Sequence, residues 1–122
     1  QKGKEYAILT DEVTKAWSGM STRQYKNYKG LKKENLRDNM STLELALNML
    51  AEATTKELTK VQNPYGLEAN RNVAKTGGQI AGEAIMRIEK ETGNPVITNQ
   101  NAASLNSVVT GMIEEVTKAE EK

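Results

Sequence analysis

The run Ser41-Thr42-Leu43-Glu44 constrains this chain more than any other stretch. A serine followed three residues later by glutamate is a capping box. The hydroxyl takes the N3 amide and the carboxylate takes the amide of the cap itself, so two orphan donors at a helix start are satisfied together. The box stands directly before apolar residues at helical spacing, which predicts a long helix over residues 42–61. Leu43, Ala46, Leu47, Leu50, Ala53, Leu58 and Val61 make its apolar stripe, the face expected to enter the core. Ser21 and Gln24 repeat the device and predict a short helix over residues 22–29, ended by Gly30.

The same period recurs on both sides. Ile8, Leu9, Val13, Ala16 and Trp17 predict a helix over residues 6–17, with Trp17 as a core anchor and Gly19 as a left-handed stop. Residues 31–37 suit a further short turn or helix. Asn63, Pro64, Tyr65 and Gly66 form a turn cluster. Beyond it a second long helix is predicted over residues 67–91, with Leu67, Asn70, Ala74, Gly77, Gly78, Ala81, Ile85 and Ile88 on one side. Each glycine inside a helix costs about 1 kcal/mol relative to alanine. Gly77, Gly78 and Gly82 are therefore expected to let another backbone come close; the alternative is a helix break near Thr76. Gly93 and Pro95 end this helix, and Val96 and Ile97 make a short extended link. Leu105, Val108, Val109, Met112, Ile113 and Val116 predict a last helix, followed by a polar tail over 118–122. Met40, Met49, Met86 and Met112 are expected as core filler.

Nowhere does apolar and polar alternation persist long enough for a sheet. The predicted architecture is an all-α helical bundle in one domain spanning residues 1–122. Short basic helices in 1–40 form a helix-turn-helix-like subdomain, 41–98 form a long antiparallel hairpin, and 99–122 form a C-terminal helix. A length of 122 residues is that of one domain. The apolar share, 37%, is low, so burial must be concentrated on patterned stripes, and homodimerisation is one route to completing the core. No run reaches the roughly 18 apolar residues of a membrane span, and the start lacks a signal region; a soluble, cytoplasmic chain without membrane contact is expected. The chain opens on Gln1, which fits a fragment or a processed product lacking a partner domain.

Chemistry is narrowed by what is missing. The chain has no cysteine and no histidine, which removes disulfides, thiolate and imidazole ligands and the usual general base of nucleophilic catalysis. Of the carboxylate pairs, Glu89 and Glu91 do not share a helix face, while Glu114 with Glu115 and Glu120 with Glu121 sit beside or within the polar tail. Solvation is their expected role. Residues 77–82 lack the lysine and hydroxyl of a phosphate loop. No catalytic residue, metal site or cofactor is expected.

Charge is distributed unevenly. Residues 1–40 carry nine basic side chains against five acidic, whereas the remainder carries eight against eleven. Within 23–37 stand Arg23, Lys26, Lys29, Lys32, Lys33 and Arg37, with Glu34 alone opposing them and Tyr25 and Tyr28 interleaved. Cations among aromatic and amide neighbours are what phosphate contacts and base stacking use, and a helix-turn-helix outline would present Arg23, Gln24, Lys26 and Asn27 to a groove. The alternative is a solvated basic face with Tyr25 and Tyr28 packed at the rim of a small core.

The stretch Lys29-Gly30-Leu31-Lys32-Lys33-Glu34-Asn35-Leu36-Arg37-Asp38, followed by Met40 and Leu43-Glu44-Leu45, resembles the C-terminal half of the bacterial DNA-damage-inducible protein D family. Ile8-Leu9-Thr10, Met49-Leu50-Ala51-Glu52-Ala53 with Thr55, Gly66 with Glu68-Ala69-Asn70, and residues 74–82 extend the resemblance over roughly 8–98. The resemblance implies a role in the SOS response, acting on recombinase filaments on single-stranded DNA. Related sequences occur in phage and prophage antirepressor-like proteins, often behind an N-terminal BRO-type domain that this sequence lacks. It assigns no catalytic residue.

Two main expectations follow. One is a non-enzymatic regulatory domain that binds a protein of recombination and repair or of prophage control through Arg23, Tyr25, Lys26, Tyr28, Lys29, Lys32, Lys33 and Arg37. The other is a direct binder of single- or double-stranded DNA, using the same cations for phosphates and the tyrosines for stacking. Less weight falls on a carboxylate-based enzyme, a phage-borne inhibitor of a host defence component, or a binder of a small anionic ligand.

Overall fold

The structure, a computed structural model, describes residues 2–103 together with Thr110, Met112 and Ile113. The order is α1 (Lys2–Ser18), α2 (Thr22–Tyr28), a 3-10 turn (Arg37–Asn39), α3 (Thr42–Gln62) and α4 (Gly66–Thr92). No strand occurs among the described residues, and the chain is an all-helical bundle. Most of the predicted C-terminal helix lies outside the described residues; of its apolar face, Met112 and Ile113 are described and both are exposed.

Both capping boxes form. Ser21 Oγ accepts from the Gln24 amide while Gln24 Oε1 accepts from the Ser21 amide, and Ser41 and Glu44 repeat the exchange. Gly19 (φ 78°) and Gly30 (φ 72°) take the left-handed conformation that ends a helix without a Cβ clash. Residues 31–36 form bends, and Leu31 turns inward to 6% exposure.

Helix α4 is the centre of the bundle, with α1 and α3 both packed along it and touching each other far less. Its glycines are the reason. A Cβ on Gly77 would fall 2.0 Å from Thr55 Oγ1 on α3, and one on Gly78 would fall 2.5 Å from Ala16 Cβ and 2.7 Å from the Val13 carbonyl on α1. Gly82 meets the Ala16 carbonyl at 3.3 Å. One helix therefore receives two backbones on adjacent faces, and it runs unbroken past Thr76. The N-terminal helices share this core: Val13, Trp17 and Tyr25 cluster with Met40, Leu47, Ala51, Ala74, Ala81, Ile85 and Val96.

The inward face of α3 departs from the predicted stripe. Leu47 is buried, but Leu43, Ala46, Leu50, Ala53 and Val61 are exposed, and the buried positions are Glu44, Leu47, Asn48 and Ala51. The inner face is thus rotated by about 100°, one residue's step around the helix. The physical cause lies in pairing: the polar groups of Glu44 and Asn48 have buried partners, and α4 meets α3 at Gly77 through Thr55. The methionines are also corrected, since only Met40 is in the core while Met49, Met86 and Met112 are exposed.

Candidate functional site: a basic surface anchored by a buried ion pair

Helix α2 has only seven residues, and its two faces do different work. Tyr25 and Lys29, four residues apart and so on one face, point inward to 0% and 2% exposure. Tyr25 meets the Trp17 ring edge-on at 5.8 Å between centroids. Its hydroxyl donates to Glu44 Oε2, and Lys29 Nζ donates to Glu44 Oε1 at 2.9 Å. Two further donors of the same ammonium reach the carbonyls of Thr98 (2.9 Å) and Gln100 (2.7 Å), so all three N–H groups are used. Asn101 Nδ2 donates to the Lys29 carbonyl at 3.1 Å, and the Ala102 amide donates to Asn39 Oδ1 at 2.6 Å. Lys29 thereby ties α2, the start of α3 and the chain after α4 into one knot. Burial, reinforced by the bond to Glu44, pushes the Tyr25 hydroxyl far above the usual phenol range.

Tyr25 and Lys29 are therefore not contact residues, contrary to the expectation that they stack on bases or meet phosphates. A side chain sealed from water and committed to Glu44 has neither a free face nor a free donor. Sequence spacing gave only a faint sign of this, the i, i+4 placement of Tyr25 and Lys29 off the Arg23–Lys26 side of α2. Glu44 shows in the sequence as a cap; its partners stand 15 and 19 residues away and leave no local pattern.

The other predicted residues do reach the surface. Arg23, Lys32 and Lys33 are exposed, Lys26 is half-buried, and Tyr28 is 48% exposed. Among the described residues, none of these four cations has an ion-pair partner. Arg37 is exposed as well but pairs with Glu52 at 2.9 Å, and Glu52 also accepts from Asn48, whose Oδ1 takes the buried Trp17 indole at 3.2 Å.

Two concavities flank this surface. One, of about 740 Å³, lies between α1 and α2 and collects Arg23, Lys26, Lys32 and the 74%-exposed Tyr6. The other, of about 970 Å³, runs between α1 and α3. They share Tyr6, Thr10, Thr22 and Lys26, so the surface is continuous with Lys26 at the junction. The sequence did not reveal the second concavity, because it arises from how α1 and α3 share α4.

No helix among the described residues is long and apolar enough to cross a membrane, and no group of three or more metal-ligating side chains is present among them. Comparison with protein-family models, with curated proteins and with solved structures found no match to this chain.

Proposed function

We propose that this chain is a non-enzymatic regulatory domain that docks on a protein of DNA repair or prophage control through the outward cations of α2 and the loop after it. The observation that carries the reading is the set Arg23, Lys26, Lys32 and Lys33, without ion-pair partners among the described residues and reaching the surface from a segment pinned from behind by Tyr25 and Lys29. A fixed array of unsatisfied charge steers an anionic partner and orients it on arrival. The resemblance of residues 8–98 to the DNA-damage-inducible protein D family supports a recombinase filament as that partner, in the cytoplasm. The lack of cysteine and histidine supports binding over catalysis.

Titration of the chain against fluorescent single-stranded DNA, bare and then coated with recombinase, tests this. Binding to the coated filament alone is the expected result. Equal binding by a variant with Arg23, Lys26, Lys32 and Lys33 changed to alanine would remove the surface assignment.

A second reading, direct binding of nucleic acid, is favoured by Tyr6 and Tyr28, exposed beside these cations. It requires affinity for bare DNA that falls steeply with salt.

A further inference from the structure

The α1–α3 groove has a shape and lining that a basic patch alone does not explain. Along α3 it runs from Asn48 to Thr59, about 16 Å at 1.5 Å per residue, and along α1 from Tyr6 to Thr14, about 12 Å. That is the span of two to three helical turns. Val13, Met40 and Ala74 lie buried beneath the groove beside the buried Thr14 and Asn48, and the apolar side chains it opens to solvent include the half-buried Leu9 and the exposed Met49 and Ala53. Among the described residues its edge carries Lys26, Arg37 and Lys56 against Glu52 alone. Arg37 spends one nitrogen on Glu52 and, with 47% of its side chain exposed, keeps further donors for an incoming carboxylate.

We propose that this groove seats an amphipathic helix of a partner protein, apolar on the face turned to Leu9, Met49 and Ala53 and acidic along the edge that meets Lys26, Arg37 and Lys56. An elongated apolar trough of two to three turns accepts side chains at the i, i+3 or i+4, and i+7 positions of one helix face. The cationic edge selects the acidic sign and fixes the helix direction. Nucleic acid is disfavoured here because a duplex or strand has no use for the apolar side chains of Leu9, Met49 and Ala53. The inference rests on the protein-docking reading above and names the chemistry of the partner segment.

The test is NMR titration of the isotopically labelled chain with three probes. The first is a peptide of about 18 residues with leucines at i, i+3, i+4 and i+7 and glutamates along the edges. The second has the same composition with leucines and glutamates scattered around the helix; the third is a short oligo-dT strand. The expected result is saturable shifts at Leu9, Met49, Ala53 and Thr55 with the first peptide, at least about tenfold tighter than with the second. Lys26→Glu with Lys56→Glu, both without ion-pair partners among the described residues, should weaken it at least about tenfold, and a lysine-edged peptide should recover binding on that variant. Equal binding of the two peptides would overturn the groove while leaving the basic docking surface standing. Shifts centred on Leu43 and Leu50, or no binding by any probe, would also overturn the groove. Binding of oligo-dT without either peptide would overturn both the groove and the protein-docking reading.

Discussion

Lys29 Nζ lies 2.9 Å from Glu44 Oε1, and neither side chain has any exposure to solvent. Charges taken out of water are costly unless every hydrogen-bonding group is met. Here the carboxylate is met by Lys29, the Tyr25 hydroxyl and the Ser41 amide, and the ammonium by three acceptors. Lys29→Met should therefore cost about 3 to 5 kcal/mol, because it leaves a buried carboxylate without its cation. Replacing both partners with apolar residues should not restore the parent, since Tyr25, Ser41 and the Thr98 and Gln100 carbonyls lose their bonds. Urea unfolding of the single and double variants checks this; a loss below about 1 kcal/mol for Lys29→Met would mean the pair is not sealed.

Alkaline pH should unfold the protein through Tyr25. Its hydroxyl titrates far higher in the folded chain than the ordinary phenol value of about 10, because burial and the Glu44 bond disfavour the phenolate. The stability this gives is complete below about pH 10 and is lost as pH rises beyond it, since the unfolded chain releases the proton first. Tyr25→Phe removes that dependence while also leaving Glu44 one donor short. In a difference titration of the two proteins by ultraviolet absorbance, the Tyr25 phenolate should appear only together with loss of helix. Its appearance in a still-helical protein would show the hydroxyl to be accessible.

The glycines of α4 give an ordered series. Alanine adds about 1 kcal/mol of helix propensity over glycine, but a Cβ at Gly78 must displace Ala16 and the Val13 carbonyl. Gly78→Ala should be net destabilising, and Gly78→Leu should lose at least the 1 to 3 kcal/mol or so typical of overpacking. Gly82→Ala, with its nearest atom at 3.3 Å, should be milder. Thermal melts rank them; a stabilised Gly78→Ala would mean that α1 does not lie against this face.

Asn48→Ala should cost about 1 to 3 kcal/mol by leaving the buried Trp17 indole N–H without an acceptor. It also frees Glu52 from one of its two bonds and so tests the link between the core and Arg37. Tryptophan fluorescence during denaturation reads the effect directly, and an unchanged midpoint would show that the indole has another acceptor.

Much of the fold can be read from the chain before any coordinates. Ser21 with Gln24 and Ser41 with Glu44 mark two helix starts because a capping box is local chemistry, complete within four residues. Gly19, Gly30 and Gly93 mark helix ends for the same reason. The face of α3 is a different matter. Leu43 and Leu50 look like core by hydropathy, yet Glu44 and Asn48 take the inner positions because Lys29, Tyr25 and Trp17 meet them across 15, 19 and 31 residues. Pairings at that separation leave no periodic trace. The candidate site divides the same way: the basic run is visible, but which of its members turn inward is decided by Glu44.

The most direct test of the account is binding to recombinase-coated single-stranded DNA by two charge variants of equal fold. One carries Arg23, Lys26, Lys32 and Lys33 changed to glutamate; the other carries the same number of reversals among exposed basic residues of α3 and α4 outside the groove, such as Lys60, Lys75, Arg87 and Lys90. Docking through the α2 cations predicts that the first loses filament binding by at least about tenfold while the second binds like the parent. Equal loss in both, or none in either, would contradict it.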